Sequence, residues 1–317
     1  MPSAESKSFI IKHRRSSFYG VIDTYSPKYA TLHVGGKKKG CVTIEIAKRG
    51  KILEGTLNVH YDRRCNTDGD LERGVGTRGM LQAAITFAFT SFPKLSLIAL
   101  KDNSYVSCAN HGDMELAPMQ LVLHEKTWYM RHVQAEPEDD HDKATVNRIV
   151  AAAKDPLGAF SPFWETVIMK RIKRLRVSEE VLIDWKRRIR AYWKSPRTTL
   201  HELIGDMKAA GECELFKYWL SKYLLKLTNG ALFNDIDFVI HRSKFTLASI
   251  EISATDFPYG ELLEKNKAAL QRKLDLLATY GGGIYGKYEY TGIRFPLGKD
   301  ATMQDFDDVM NLPVDVC

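Results

Sequence analysis

Along the first sixty positions apolar and polar residues alternate. Tyr29-Ala-Thr-Leu-His-Val34 alternates and stops at Gly35-Gly36. Cys41-Val-Thr-Ile-Glu-Ile46 places Val42, Ile44 and Ile46 on one side, and Thr56-Leu-Asn-Val-His-Tyr61 does the same with Leu57, Val59 and Tyr61. A period of two predicts half-buried strands, with Ser8–Lys12 as the first. The short link from Lys48 to Glu54 predicts an antiparallel hairpin between the last two. After a loop at Asn66–Asp70 the period changes. Met80, Leu81, Ala84, Ile85, Ala88 and Phe89 recur at helical spacing over Thr77–Phe92, and Pro93 stops the helix. Leu95–Leu100 reads as a buried strand, Asp102–Glu115 as irregular, and Pro118–His132 as another helix.

Beyond the acidic run Glu136–Asp142 the spacing becomes mostly helical, over 144–154, 162–176, 178–194, 199–210 and 213–227. A small β insert is expected at Phe238–Arg242 and Phe245–Ile252, with Ser243-Lys244 between. A long helix over 259–280 ends at Gly281-Gly-Gly283, and a last strand region is expected at Tyr288–Phe295. The acidic run is the expected boundary, giving domains at 1–135 and 136–317. The predicted fold class is α+β: a mixed, mostly antiparallel sheet with flanking helices, followed by a mainly helical C-terminal part.

Composition narrows the classes. Hydrophobic residues make up 44% of the 317 positions, enough for a sizeable core. No apolar run is long enough to span a membrane, and Met1–Ser8 lacks the apolar stretch of a signal peptide, which predicts an intracellular protein. The five cysteines are widely spaced and form no CxxC pair, so reduced thiols and no metal site are expected. The net charge is +7, and Trp164–Arg197 holds 11 Lys/Arg against 4 Asp/Glu, the same surplus. Most of this segment reads as solvated helix faces around a core stripe of Trp185, Ile189 and Trp193. Its charge density also fits an acidic protein neighbour or nucleic-acid phosphates.

Gly74-Val-Gly-Thr-Arg-Gly79 lies between a strand and a helix. Three readings remain open at this point. The string matches the dinucleotide fingerprint GxGxxG, although antiparallel strands precede it. It is also a structural turn of a common kind. Third, it fits a pyrophosphate loop, because a helix N-terminus offers unpaired N–H groups and glycines let phosphates come close to the backbone.

Arg73-Gly-Val-Gly-Thr-Arg-Gly-Met-Leu81 resembles the acetyl-CoA loop of the GNAT acetyltransferase superfamily, with Gly74 and Gly76 in the glycine positions and Leu71 where that family has Gln or Arg. Asp102-Asn-Ser104 and Lys126-Thr-Trp-Tyr129 further resemble segments of GNAT-like proteins of large DNA viruses. The resemblance implies acetyl-CoA held by Val59, Arg73, Gly74, Val75, Gly76, Thr77, Arg78 and Asn103. It implies Tyr129 as the acid that protonates the leaving thiolate, with His60, Glu45 or Asp62 as the base. Two functions follow as expectations. One is an N-acetyltransferase acting on an amine. The other is a non-catalytic structural protein on the same fold, such as a minor virion component meeting other structural proteins through 164–197.

Overall fold

Phe9 and Ile11 are buried on one side of the first strand and pair across a tight hairpin with Gly20 and Phe18. That pattern begins a meander of strands. In the computed structural model, described for residues 5–26, 29–36, 40–49, 52–59, 75–102, 104–108, 112–170, 177–212 and 236–255 and a few positions between 213 and 227, five strands follow one another: β1 (Glu5–His13), β2 (Ser16–Ser26), β3 (Tyr29–Gly35), β4 (Gly40–Arg49) and β5 (Ile52–Val59). Helix α1 (Val75–Ser91) and strand β6 (Leu95–Lys101) come next. The described chain divides into two compact units. The first runs to Ala99 and resumes at His241; the second is Leu100–Ile240.

The sheet of the first unit has the order β11-β1-β2-β3-β4-β5-β6, where β11 is Glu251–Ala254. Every neighbouring pair is antiparallel except β5 and β6. One face carries Phe9, Ile11, Phe18, Leu32, Val34, Val42, Ile44, Ile46, Leu57 and Val59, all buried. Helix α1 lies along this face: Met80, Leu81, Ala84, Ile85, Ala88 and Phe89 are fully buried, and Phe87 stacks on Phe9 with ring centroids 4.2 Å apart. Each large side chain so buried contributes roughly 1.5–3 kcal/mol, and that burial holds a helix with little charge of its own to the sheet. Arg242 fixes the helix end by donating to the carbonyls of Phe89 and Phe92.

The expected strand at 245–252 is shorter than the sequence reading, and its partner is different. A turn closes after β10 (Asp237–His241), but Phe245–Ile250 is not strand, and β11 pairs with β1. β10 pairs instead with β9 (Glu136–Pro137) in the second unit. Strand β2 was not singled out in the sequence, because Tyr19, Gly20 and Asp23 blur its period.

In the second unit, 102–115 is not simply irregular: β7 (Tyr105–Cys108) and β8 (Gly112–Glu115) form an antiparallel hairpin. The helix expected over 118–132 is two helices, α2 (Leu116–His124) and α3 (Trp128–His132). Glu125, with φ 60°, ends the first in the left-handed region, and Thr127 caps the second by accepting from the Met130 N–H at 3.4 Å. The acidic run starts α4 (Asp140–Lys154): Asp139 accepts from the Asp142 N–H at 2.8 Å, and Asp140 and Asp142 sit in the first turn, where negative charge is favoured. α5 (Phe160–Phe163) passes into a π-helical turn, Trp164–Met169.

α6 (Glu179–Ala191) buries Trp185 and Ile189, and Trp193 follows them into the core, as the stripe predicts. Several basic residues of this helix and of the turn after it are paired. Arg187 meets Asp184 at 2.7 Å, Lys194 meets Asp206 at 2.7 Å, and Arg188 bonds both Glu212 and Asp184. α7 (Leu200–Ala209) begins at a capping box of Thr199 and Glu202. Residues 171–176, the helix at 259–280 and the strand at 288–295 lie outside the described residues. No described helix is long and apolar enough to cross a membrane.

The expectation of reduced thiols fails at Cys41, which is fully buried in β4 and disulfide-bonded. Alkylation of the denatured chain without reductant should leave Cys41 unlabelled. Label should enter only after dithiothreitol, as read by peptide mass spectrometry.

Candidate functional site

Strands β5 and β6 run parallel through Leu53↔Leu95, Glu54↔Leu97, Gly55↔Ile98 and Thr56↔Ala99. They approach closely at Gly55, where a Cβ would lie 3.0 Å from Ile98 Cγ1. Past Thr56 the pairing stops. Among the described residues, Leu57, Asn58 and Val59 continue in register with β4 alone. Along Leu57–Val59 the edge of β5 that faces away from β4 therefore carries main-chain groups with no described strand against them. These strands are joined through α1, the connection a parallel pair requires.

The start of α1 supplies the second feature. Val75, Gly76 and Thr77 form its first turn, so their N–H groups have no partner within the helix. No acidic residue occupies that turn. Arg78 is half-buried, and its Nε is buried without a hydrogen-bond partner among the described residues. Gly79 is close to Phe18 and His13, whose Cζ and Cδ2 would lie 3.5 and 3.7 Å from an added Cβ. First-turn N–H groups with no partner inside the helix, and an arginine in the same opening stretch of the helix, suit a phosphate.

The second unit, taken by itself, holds a separate cluster. Directly after β6, Asp102 is 4% exposed. Ser104 donates to its Oδ1 twice, from the backbone N–H at 3.3 Å and from Oγ at 2.5 Å. Its Oδ2 has no partner among the described residues. Burial pushes the carboxyl up to about 6; the Ser104 bonds and a hydrogen bond from the Thr127 side chain oppose that rise. Tyr129 is 3% exposed and packs edge-on against Trp128. Burial first, then the charge of Asp102, holds its phenol well above the ordinary tyrosine value, so it stays protonated.

Comparison of the chain with protein-family models, curated proteins and solved structures returns no match. Function therefore rests on the placement of residues. In the first unit, Val59 is buried at the end of β5, Glu45 is half-buried on β4, and Val75, Gly76, Thr77 and Arg78 open α1. Tyr129 is a core residue of the second unit. His60, Asp62, Arg73, Gly74 and Asn103 lie outside the described residues. Among the described residues no group of three His, Cys, Asp or Glu is placed to hold a metal ion.

Asp102 was visible in the sequence as part of Asp102-Asn-Ser104 but not as a site residue. The signal was its place immediately after an apolar strand; its burial appears only in the folded chain.

Proposed function

We propose that this chain is a GNAT-like N-acetyltransferase that moves the acetyl group of acetyl-CoA onto an amine. The observation that carries the reading is the parting of β5 from its parallel neighbour after Thr56–Ala99. Among the described residues no strand pairs with Leu57–Val59 on that side, and a thioester and its oxyanion need fixed donors of that kind. The helix that joins the two strands opens with Val75-Gly-Thr-Arg78 and offers N–H groups and the orphaned Arg78 Nε to a pyrophosphate. Acetyl-CoA supplies an activated acyl carbon.

The remaining chemistry is proton transfer. The amine nitrogen forms a bond to the acyl carbon, the C–S bond breaks, one N–H proton leaves, and the departing thiolate takes a proton. Glu45, one strand from the parting, is the carboxylate assigned to receive the amine proton.

Titration calorimetry of the full-length protein with acetyl-CoA, for wild type and Gly76→Glu, tests the reading. Glutamate in the first turn suits the helix itself but places an anion in the phosphate seat. Wild type should bind, and the variant should keep its unfolding midpoint while losing at least about tenfold in affinity, the cost of one charge-assisted contact. Absence of binding at millimolar acetyl-CoA would sink the proposal.

A further inference from the structure

Two arginines of the second unit stand in opposite states. Arg188 on α6 turns one edge of its guanidinium to Glu212: Nε donates to Oε1 at 3.2 Å, and Nη2 donates to Oε2. These are the two parallel bonds of a fork closed on a carboxylate. Arg131 stands in the last turn of α3. The same two nitrogens, Nε and Nη2, are buried there, and neither has a hydrogen-bond partner among the described residues.

A cation in that state is costly. Arginine is almost never buried without a counter-charge, and each buried donor left unpaired loses its bonds to water for nothing. Burial holds the Arg131 guanidinium below the ordinary arginine value, and no carboxylate among the described residues offsets that shift. Glu125, just past the end of α2, is taken by Lys154 at 2.7 Å. The carbonyl end of α3 favours a positive charge, but it makes no bond to either nitrogen. Arg131 as a residue is only half-buried, so an approach from solvent remains.

We infer that the Nε–Nη2 edge of Arg131 is a seat for a small monocarboxylate, held side-on by two N–H···O bonds as Arg188 holds Glu212. One guanidinium carries one positive charge, and a monoanion neutralises it. A phosphate dianion would leave surplus negative charge beside a buried edge. The planar fork matches the two oxygens of a carboxylate, which a lysine ammonium does not. The seat lies within the second unit and stands without the acetyl-transfer reading.

Titration of the full-length protein with sodium acetate, followed in nitrogen–proton correlation spectra of the arginine Nε–H groups, tests this. Arg131→Lys identifies the Arg131 resonance by its loss, and Arg131→Met does so if the lysine variant fails to fold. In wild type that resonance should shift saturably with acetate, while the Arg188 resonance, already closed on Glu212, stays in place. Acetamide, the neutral isostere, should leave both unmoved. Inorganic phosphate should need at least about tenfold more ligand for the same shift, since its second charge has no partner. An Arg131 resonance that acetate does not move, or that acetamide moves equally, overturns the seat. Phosphate binding more tightly than acetate overturns the carboxylate assignment.

Discussion

Replacing Asp102 by Asn should change the pH dependence of stability by on the order of 3 kcal/mol between about pH 4 and pH 7.5. Burial raises the folded-state carboxyl from 3.8 to about 6. Between those values the folded chain holds a proton that the unfolded chain has lost. Unfolding therefore releases that proton, and stability falls as pH rises through the window. The penalty is absent below about 3.8 and fully present above about 6. This is the opposite sign from a salt-bridged carboxylate, whose contribution grows with pH. Asn still accepts from Ser104, and any cost of its buried amide is the same at every pH. The quantity to follow is the difference in unfolding free energy, variant minus wild type, from urea titrations across the window. It should move in favour of the variant as pH rises. A difference that stays flat would mean that Asp102 is hydrated in the folded state.

The second large effect belongs to Gly20. An added Cβ there would lie 2.2 Å from Phe9 Cε2 and 2.4 Å from Cζ. The Phe9 ring cannot swing aside freely, because it is 5% exposed and stacked on Phe87 of α1 at an interplanar angle of 11°. Gly20→Ala should therefore destabilise the first unit by about 1–3 kcal/mol, the usual range for an overpacked core. Phe9→Leu provides the check. It removes the ring that the methyl meets, so the same substitution in that background should cost markedly less, and the difference is the coupling energy. Equal costs in both backgrounds would show that the glycine is needed for its backbone and not for the ring.

Much of the secondary structure was legible along the chain, for a local reason. Alternation at Cys41–Ile46 and Thr56–Tyr61 gave the β4–β5 hairpin, and spacing at Met80–Phe89 gave α1 with its stop at Pro93. Where a few residues of special backbone geometry intervene, the period misleads. The apolar spacing from Pro118 to His132 looks continuous, yet Glu125 in the left-handed region and the Thr127 cap divide it. Cys41 shows a different gap, since its neighbours in the sequence carry no sign of the bond it makes.

The sequence by itself determined which stretches can be strand or helix and which faces are apolar, because both follow from a period of two or 3.6 within a few residues. It also placed glycines and an arginine at the mouth of a helix. Only the tertiary structure decided which strands meet: that β5 and β6 run parallel and then part, and that β11 returns to pair with β1 from more than two hundred residues away. Pairing depends on chain closure and on cores built from distant segments, which no local window contains. The same holds for side chains. Asp23, Thr31 and Glu45 become neighbours only through the register of three strands, and Asp102 is raised to about 6 only once folding buries it.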